Sequence, residues 1–259
     1  DELVADQVAH LPHGSRRLAE AAPPVRAGAT GSGTDLLVLT WTKADLACER
    51  AAGVRTLRAL GVEPGMRVAN ALPGALATPG SLLFGDVVDE LGALDVPLGT
   101  VRDEVSAKAA WKLIDRVEAN VIVVDAAASQ ALFASAPAGP RSGWVGVINL
   151  RNDDAAPDPQ PQVPAALGFG GWQRFWLAVP EAASFVGVSC AAGSLHADAG
   201  VLVEIYSVGE AKLPPRGESG HVVLTPLARD QVLLRYLSTV RAREIDCACG
   251  NPGTALRLE

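Results

Sequence analysis

Residues 220–250 read GHVVLTPLARDQVLLRYLSTVRAREIDCACG, and the rest of the chain can be placed around this stretch. Val222-Val223-Leu224-Thr225 is a β-branched run that predicts a strand. Pro226 to Asp230 read as a turn, an apolar stretch runs into Arg235-Tyr236, and the pair Cys247-x-Cys249 stands just before Gly250. Upstream, Gly200 to Tyr206 alternates apolar and polar residues and Gly209 to Gly217 is turn-rich. The region from 186 to 259 is therefore expected to be an antiparallel β subdomain of barrel-like character.

Earlier in the chain the pattern changes to alternating helices and strands. Residues 1–22 predict a helix, with Leu3, Val4, Val8 and Leu11 on one stripe and Leu18 and Ala22 continuing a second after the break from Pro12 to Ser15. Gly28-Ala29-Thr30-Gly31-Ser32-Gly33-Thr34-Asp35 precedes an apolar run, Leu36 to Thr40. Small residues before a strand suit a nest of backbone N–H groups, because glycine accepts positive φ angles. The same string is also an ordinary turn. Thr42 reads as the N-cap of a helix from Ala44 to Leu60 that stops at Gly61. Turn and strand follow at Gly61 to Val68, then a small-residue loop over 73–80, a helix from Ser81 to Leu91 and a strand from Leu94 to Pro97. A helix from Val105 to Val117 is expected to bury Trp111, Leu113, Ile114 and Val117, before the wholly apolar strand Val121 to Val124 and another strand from Trp144 to Leu150. Continuous apolar strands between helices mean a mostly parallel α/β sheet covered on both faces. RNDDAAPDPQPQVP, residues 151–164, is too rich in proline and acid for a regular element and reads as a surface loop. The expected organisation is an N-terminal helix and parallel subdomain over 1–185, with the antiparallel subdomain over 186–259, as one structural domain.

The composition narrows the function classes. The chain has 259 residues, 49% of them hydrophobic and 20% charged, which is globular rather than disordered. The net charge of −7 is spread out, and no basic face suits nucleic acid. No apolar run reaches the roughly 18 residues a membrane span needs. The acidic, amphipathic N-terminus lacks the form of a secretory signal, so a cytoplasmic protein is expected.

Cys190, His196, Cys247 and Cys249 form C-x5-H followed by C-x-C-G. Thiolate and imidazole donors suit tetrahedral zinc of the structural kind. Buried free thiols, or a local Cys247–Cys249 disulfide, are equally open from the residues alone. Cys48, inside the helix over 44–60, is expected in the core. His10 and His13 are read as surface histidines because Pro12 interrupts the helix. Trp172 and Trp176, around Phe175, are expected in the core, with a ligand pocket as the other reading.

Several stretches, in order, resemble the large domain of phenylacetate-CoA ligases, a family of adenylate-forming (AMP-binding) enzymes. GATGSGTDLLVLTWTKAD at 28–45 is similar to the family's SSGTTGKPTVVxYTxxD, and GVEPGMRVANALPGALATPG at 61–80 to GVxPGDxVxNxxxYGLFTGG. LGALDVPLG, ANVIVVDAAAS and CAAGSLHADAGVLVEI are similar to LGATVIPxG, PTVIxxTPSY and ECxxxxGLHxxxDxxxxEI, and the opening stretch resembles GELVVTxL, PLIRYRTGD and CxCG. The resemblance implies the large-domain fold of enzymes that make an acyl-AMP from ATP and a carboxylic acid and pass the acyl group to CoA. It also implies zinc at Cys190, His196, Cys247 and Cys249, and a nucleotide cleft at Thr30, Gly31, Ser32, Gly33, Thr34 and Tyr236, with Glu181 and Arg235 as the remaining catalytic candidates.

Three motifs depart from the family. Asp35 stands where the phosphate loop has lysine, which reverses a Coulomb term of about a few kcal/mol beside a triphosphate. YGxTE becomes Leu177-Ala178-Val179-Pro180-Glu181, keeping only the glutamate that would hold magnesium. RYRTGD becomes Arg235-Tyr236-Leu237-Ser238-Thr239-Val240, so the ribose ligand is a valine that accepts no hydrogen bond. The family's small C-terminal domain, which supplies the adenylation lysine, has no counterpart after Gly250. The expected protein is thus a degenerate relative without adenylation activity by itself, holding a structural zinc and a cleft for a small molecule or a protein partner, with a homodimer left open. Two alternatives stand beside it: an active acyl- or aryl-CoA ligase using ATP, magnesium and CoA, with Asp230 or Glu244 replacing a lost group, and an acyl-transfer protein like the acyl-protein synthetases.

Overall fold

The computed structural model describes residues 2–11, 14–18, 20–30, 36–73, 81–139, 143–152, 163, 167–251 and 253–259. The N-terminal helix is shorter than its sequence predicts. α1 covers Glu2–Ala9 only; Leu3 and Val4 pack inward, whereas Val8, Leu11 and Leu18 are exposed. Beyond α1 the chain runs as a strap, in which Leu18 N–H donates to Asp230 O and Val232 N–H to Arg16 O. β1 (Arg26–Thr30) and β2 (Leu37–Trp41) form an antiparallel ribbon, with Arg26 opposite Trp41 and Thr30 opposite Leu37. Gln7 completes its edge as a strand would, donating to Val38 O at 2.8 Å and accepting from Val38 N–H at 2.7 Å.

α2 (Lys43–Leu60) begins and ends where its caps dictate. Thr42 and Asp45 form a reciprocal capping box, and Gly61 closes the helix at φ 92°, a left-handed angle that glycine adopts without a Cβ clash. β3 (Arg67–Asn70), α3 (Ser81–Leu91), β4 (Leu94–Pro97), α4 (Glu104–Arg116), β5 (Val121–Val124), α5 (Ala126–Ala134) and β6 (Gly146–Asn152) follow. Leu113 of α4 is exposed, against the sequence expectation, because Ala107, Ala110, Trp111 and Ile114 make the buried stripe. β7 (Trp172–Val179), β8 (Ala183–Ser189), β9 (Leu195–Ala197), β10 (Val201–Tyr206), β11 (Ser219–Pro226), β12 (Tyr236–Ile245) and β13 (Ala255–Leu258) complete the order. Most of the proline-rich segment 151–164 lies outside the described residues; Arg151 and Asn152 end β6, and Val163 is buried.

Eleven strands make one sheet, ordered β10-β11-β12-β13-β9-β8-β7-β6-β5-β3-β4. β7, β6, β5, β3 and β4 are parallel neighbours, and from β7 to β10 every pairing is antiparallel. The expected boundary at 185/186 falls inside β8, so both portions share this sheet. β5 explains the layering. Its four residues are 0% exposed, with Val121 and Val123 facing the α2 and α3 side while Ile122 and Val124 face α4 and α5. A strand buried on both faces must be apolar throughout. A third cluster fills the antiparallel part, joining Phe175, Leu177 and Val179 of β7 to Val222, Leu224, Ala242 and Leu256. No helix among the described residues is long and apolar enough to cross a membrane.

Candidate metal centre and nucleotide cleft

The four metal-ligand candidates come together from two places distant in sequence. Cys190 follows β8 and enters a tight turn, its N–H bonded to Ser194 O at 2.9 Å. His196 stands in β9, and Cys247 and Cys249 follow β12, where Gly250 takes φ 79°. Since β13 pairs with both β12 and β9, the sheet itself carries the two ends to one point. The four ligand atoms all lie within 4.8 Å of one another. Cys190 Sγ is 3.6 Å from Cys247 Sγ, and Cys249 Sγ is 3.2 Å from His196 Nε2. A tetrahedral zinc site with its usual bond lengths has edges of roughly 3.5–3.8 Å, so the donor set and its spacing fit zinc closely. All four cysteines of the chain are free thiols here, so the local Cys247–Cys249 disulfide is absent from this structure.

The electrostatics differ between Cys247 and Cys249. The Ser194 hydroxyl, helped by the Cys249 N–H, holds Cys247 down at about 6. Cys249 is pulled down by the Asn251 N–H, yet burial and the neighbouring Cys247 and Cys190 thiols leave it raised. A bound cation would relieve this crowding by sharing the thiolate charge. His196 is buried, and its Nδ1 has no hydrogen-bond partner, so the ring lacks the outer acceptor that usually orients a metal-bound histidine. A Cβ on Gly187 of β8 would lie 2.5 Å from His196 O, a backbone clash. Gly187→Ala is therefore expected to shift β9 and to weaken zinc binding by about tenfold; chelator competition on the variant, compared with Gly193→Ala, measures it.

Only part of the set expected around a nucleotide lies among the described residues. Gly31, Ser32, Gly33, Thr34 and Asp35 lie outside the described residues, and Thr30 ends β1 rather than a loop. Leu177 and Val179 point into the core from β7, and Glu181 sits in the tight turn to β8, where Ala182 N–H bonds Val179 O at 2.8 Å. Arg235 has a left-handed φ of 51°, pairs with Glu204 at 3.0 Å and lies over the Tyr206 ring. Tyr236 opens β12, and both it and Val240 pack against the third core cluster. The two groups considered as replacements are each engaged by a neighbour. Asp230 accepts from Thr42 Oγ1 at 2.7 Å and gives its N–H to Asp45 at 2.8 Å, while Glu244 pairs with Arg216 at 3.0 Å.

Other sequence expectations resolve plainly. Trp176 is core, stacked between Phe84 at 5.7 Å and Phe185 at 6.1 Å, and Trp172 packs over Gly146. His10 is exposed, its ring beside Asp6, and His13 lies outside the described residues. Cys48 is exposed, a correction to its expected place in the core: α2 turns Leu46, Glu49 and Gly53 inward instead. Sequence reasoning missed Ser194 as the partner of Cys247, and it missed the buried Glu49 and Asp45, since acids on a helix normally mark its wet face.

No known family profile matches the sequence, and no curated protein sequence matches it. Solved structures do. A 2-hydroxyisobutyryl-CoA ligase, captured open with 2-HIB-AMP and CoA, superposes with a TM-score of 0.81 at 18% identity, covering 99% of this chain and 61% of that one. A long-chain-fatty-acid-CoA ligase from Archaeoglobus fulgidus gives 0.65 at 15% identity over 90% of this chain and 50% of its own. An amide bond synthetase from Marinactinospora thermotolerans gives 0.62 at 17% identity, with 93% and 52% covered. The fold is thus that of the adenylate-forming CoA ligases. The chain spans between half and about three-fifths of the length of these structures.

Proposed function

We propose that this chain is a degenerate relative of the phenylacetate-CoA ligases, which has kept their large-domain fold and a structural zinc and does not form acyl-adenylate by itself. The observation that carries the reading is Val240. It occupies the position matched to the ribose-binding aspartate and is packed against the core of the antiparallel strands, where it offers no acceptor. Leu177, matched to the adenine-stacking tyrosine, is 1% exposed, so that side chain is sealed away from any cleft. These residues do not fit a nucleotide. Losing one positioned donor or acceptor typically costs about 10²- to 10³-fold in rate, and the lost adenine stack comes on top of it.

Zinc would be held by Cys190, His196, Cys247 and Cys249. With all four positions filled by protein it would supply no chemistry, only a tie between the turn after β8 and the turn after β12. What remains of the cleft would serve a small ligand or a protein partner. ATP–pyrophosphate exchange with a panel of aryl and fatty acids tests the proposal, together with calorimetric titration of ATP. Exchange at background and no ATP binding are expected; acid-dependent exchange would overturn the reading and favour an active ligase.

A further inference from the structure

A cavity of about 220 Å³ lies between α2, β8, the turn into β10 and the segment after β11. None of the residues assigned above to the metal cluster or the nucleotide cleft lines it. Its walls are Ala51, Ala52, Ala183, Phe185, Val201 and Pro226, and Cys48 stands among the lining residues.

The polar groups of the cavity are few and unequal. Arg55 and Asp198 also line it and satisfy each other through two bonds, at 2.7 Å and 3.0 Å. Arg229 donates to Ala182 O at 2.8 Å and lies over the Trp41 ring, while its buried Nε and Nη2 have no hydrogen-bond partner. Glu49 is likewise under-satisfied. It is 6% exposed, and it accepts a long 3.4 Å bond from the Ser184 N–H. Burial raises its carboxyl, an effect that Arg229 and the Ser184 bonds oppose and Asp45 reinforces. In its neutral form the carboxyl carries one O–H donor and keeps acceptor capacity.

We infer that this cavity is a binding site for a small uncharged molecule, one ring or a branched chain in size, carrying a single hydroxyl, carbonyl or amide group that hydrogen-bonds to Glu49. Size sets the first limit. An engineered apolar cavity of about 150 Å³ holds benzene, so the space here takes a ring with one substituent. Charge sets the second. Glu49 and Arg229 already offset each other's charge, so a ligand of net charge would leave one of these two buried groups uncompensated, which is strongly unfavourable. A group that both donates and accepts serves the Glu49 carboxyl and the open Arg229 N–H groups together, and leaving them unmatched would cost about 1–3 kcal/mol.

Phenol is the probe, titrated into the full chain by calorimetry, with the alkylation rate of Cys48 followed on its own peptide. Saturable one-site binding is expected, with phenol slowing Cys48 alkylation. Ala52→Leu and Ala183→Val, which fill the cavity from the helix and from the strand, should each weaken binding by about tenfold or more; Glu49→Gln should retain it, and Glu49→Leu should weaken it by about tenfold. No saturable binding at millimolar phenol would overturn the proposal, as would unchanged affinity in the filled variants. Should the variants fail to fold by circular dichroism, the wild-type protection of Cys48 decides: protection supports the site, and an unchanged rate overturns it.

Discussion

Cys247→Ser is expected to abolish stoichiometric zinc and to lower the melting temperature by roughly 10 °C. The tie joins residues 57 positions apart, Cys190 and Cys247, across strands that otherwise meet through short β9 and β13. Structural zinc in small finger peptides contributes about 10–16 kcal/mol because it folds the whole peptide. Here the sheet already places the ligands, so only part of that range acts on stability. About 3–5 kcal/mol, at about 2–4 °C per kcal/mol for a chain of this size, gives the expected shift. His196→Ala should behave alike, and Cys48→Ser, outside the cluster, should leave zinc content unchanged. Elemental analysis of protein purified without chelator decides the matter. If such protein carries no metal, or if chelation leaves the melting temperature where it was, the zinc assignment is wrong.

The second large effect is expected in the core. Trp176→Ala should destabilise the fold by about 3–5 kcal/mol, the range for deleting a large aromatic from a packed interior. Trp176 is fully buried between Phe84 of α3 and Phe185 of β8, and so joins the parallel and antiparallel halves of the sheet through one stack. Such stacks add about 0.5–1.5 kcal/mol beyond area. Trp176→Phe should therefore lose less than half as much. Urea unfolding of both variants measures the difference, and a cost under 1 kcal/mol for alanine would mean the ring lines an open pocket after all.

Legibility in the sequence followed the range over which each signal acts. The capping box of α2, its glycine stop and the apolar β5 are local, and they were readable because a few neighbouring residues satisfy their own backbone. β1 was not. Arg26-Ala27-Gly28-Ala29-Thr30 has no strand pattern and becomes a strand only through its register with β2. β7 and β13 escaped for a related reason, since Gln173 and Arg174 break any period in WQRFWLAV and ALRL is too short. The expected helix over 1–22 failed after Ala9, because its second part bonds to residues 230–232 rather than to its own previous turn.

By itself the sequence determined the alternation of helices and strands, the likeness to adenylate-forming enzymes and the identity of the Cys247-x-Cys249 pair with its partners Cys190 and His196. Those rest on local patterning and residue type. Only the tertiary structure decided that the four ligand atoms meet, that Leu177 lies in a packed core with Val240 half-buried against it, and that Glu49 is buried beside a cavity. Each of these depends on contacts between residues far apart in the chain, and burial, which sets both the dielectric and the available partners, exists only once those contacts are made.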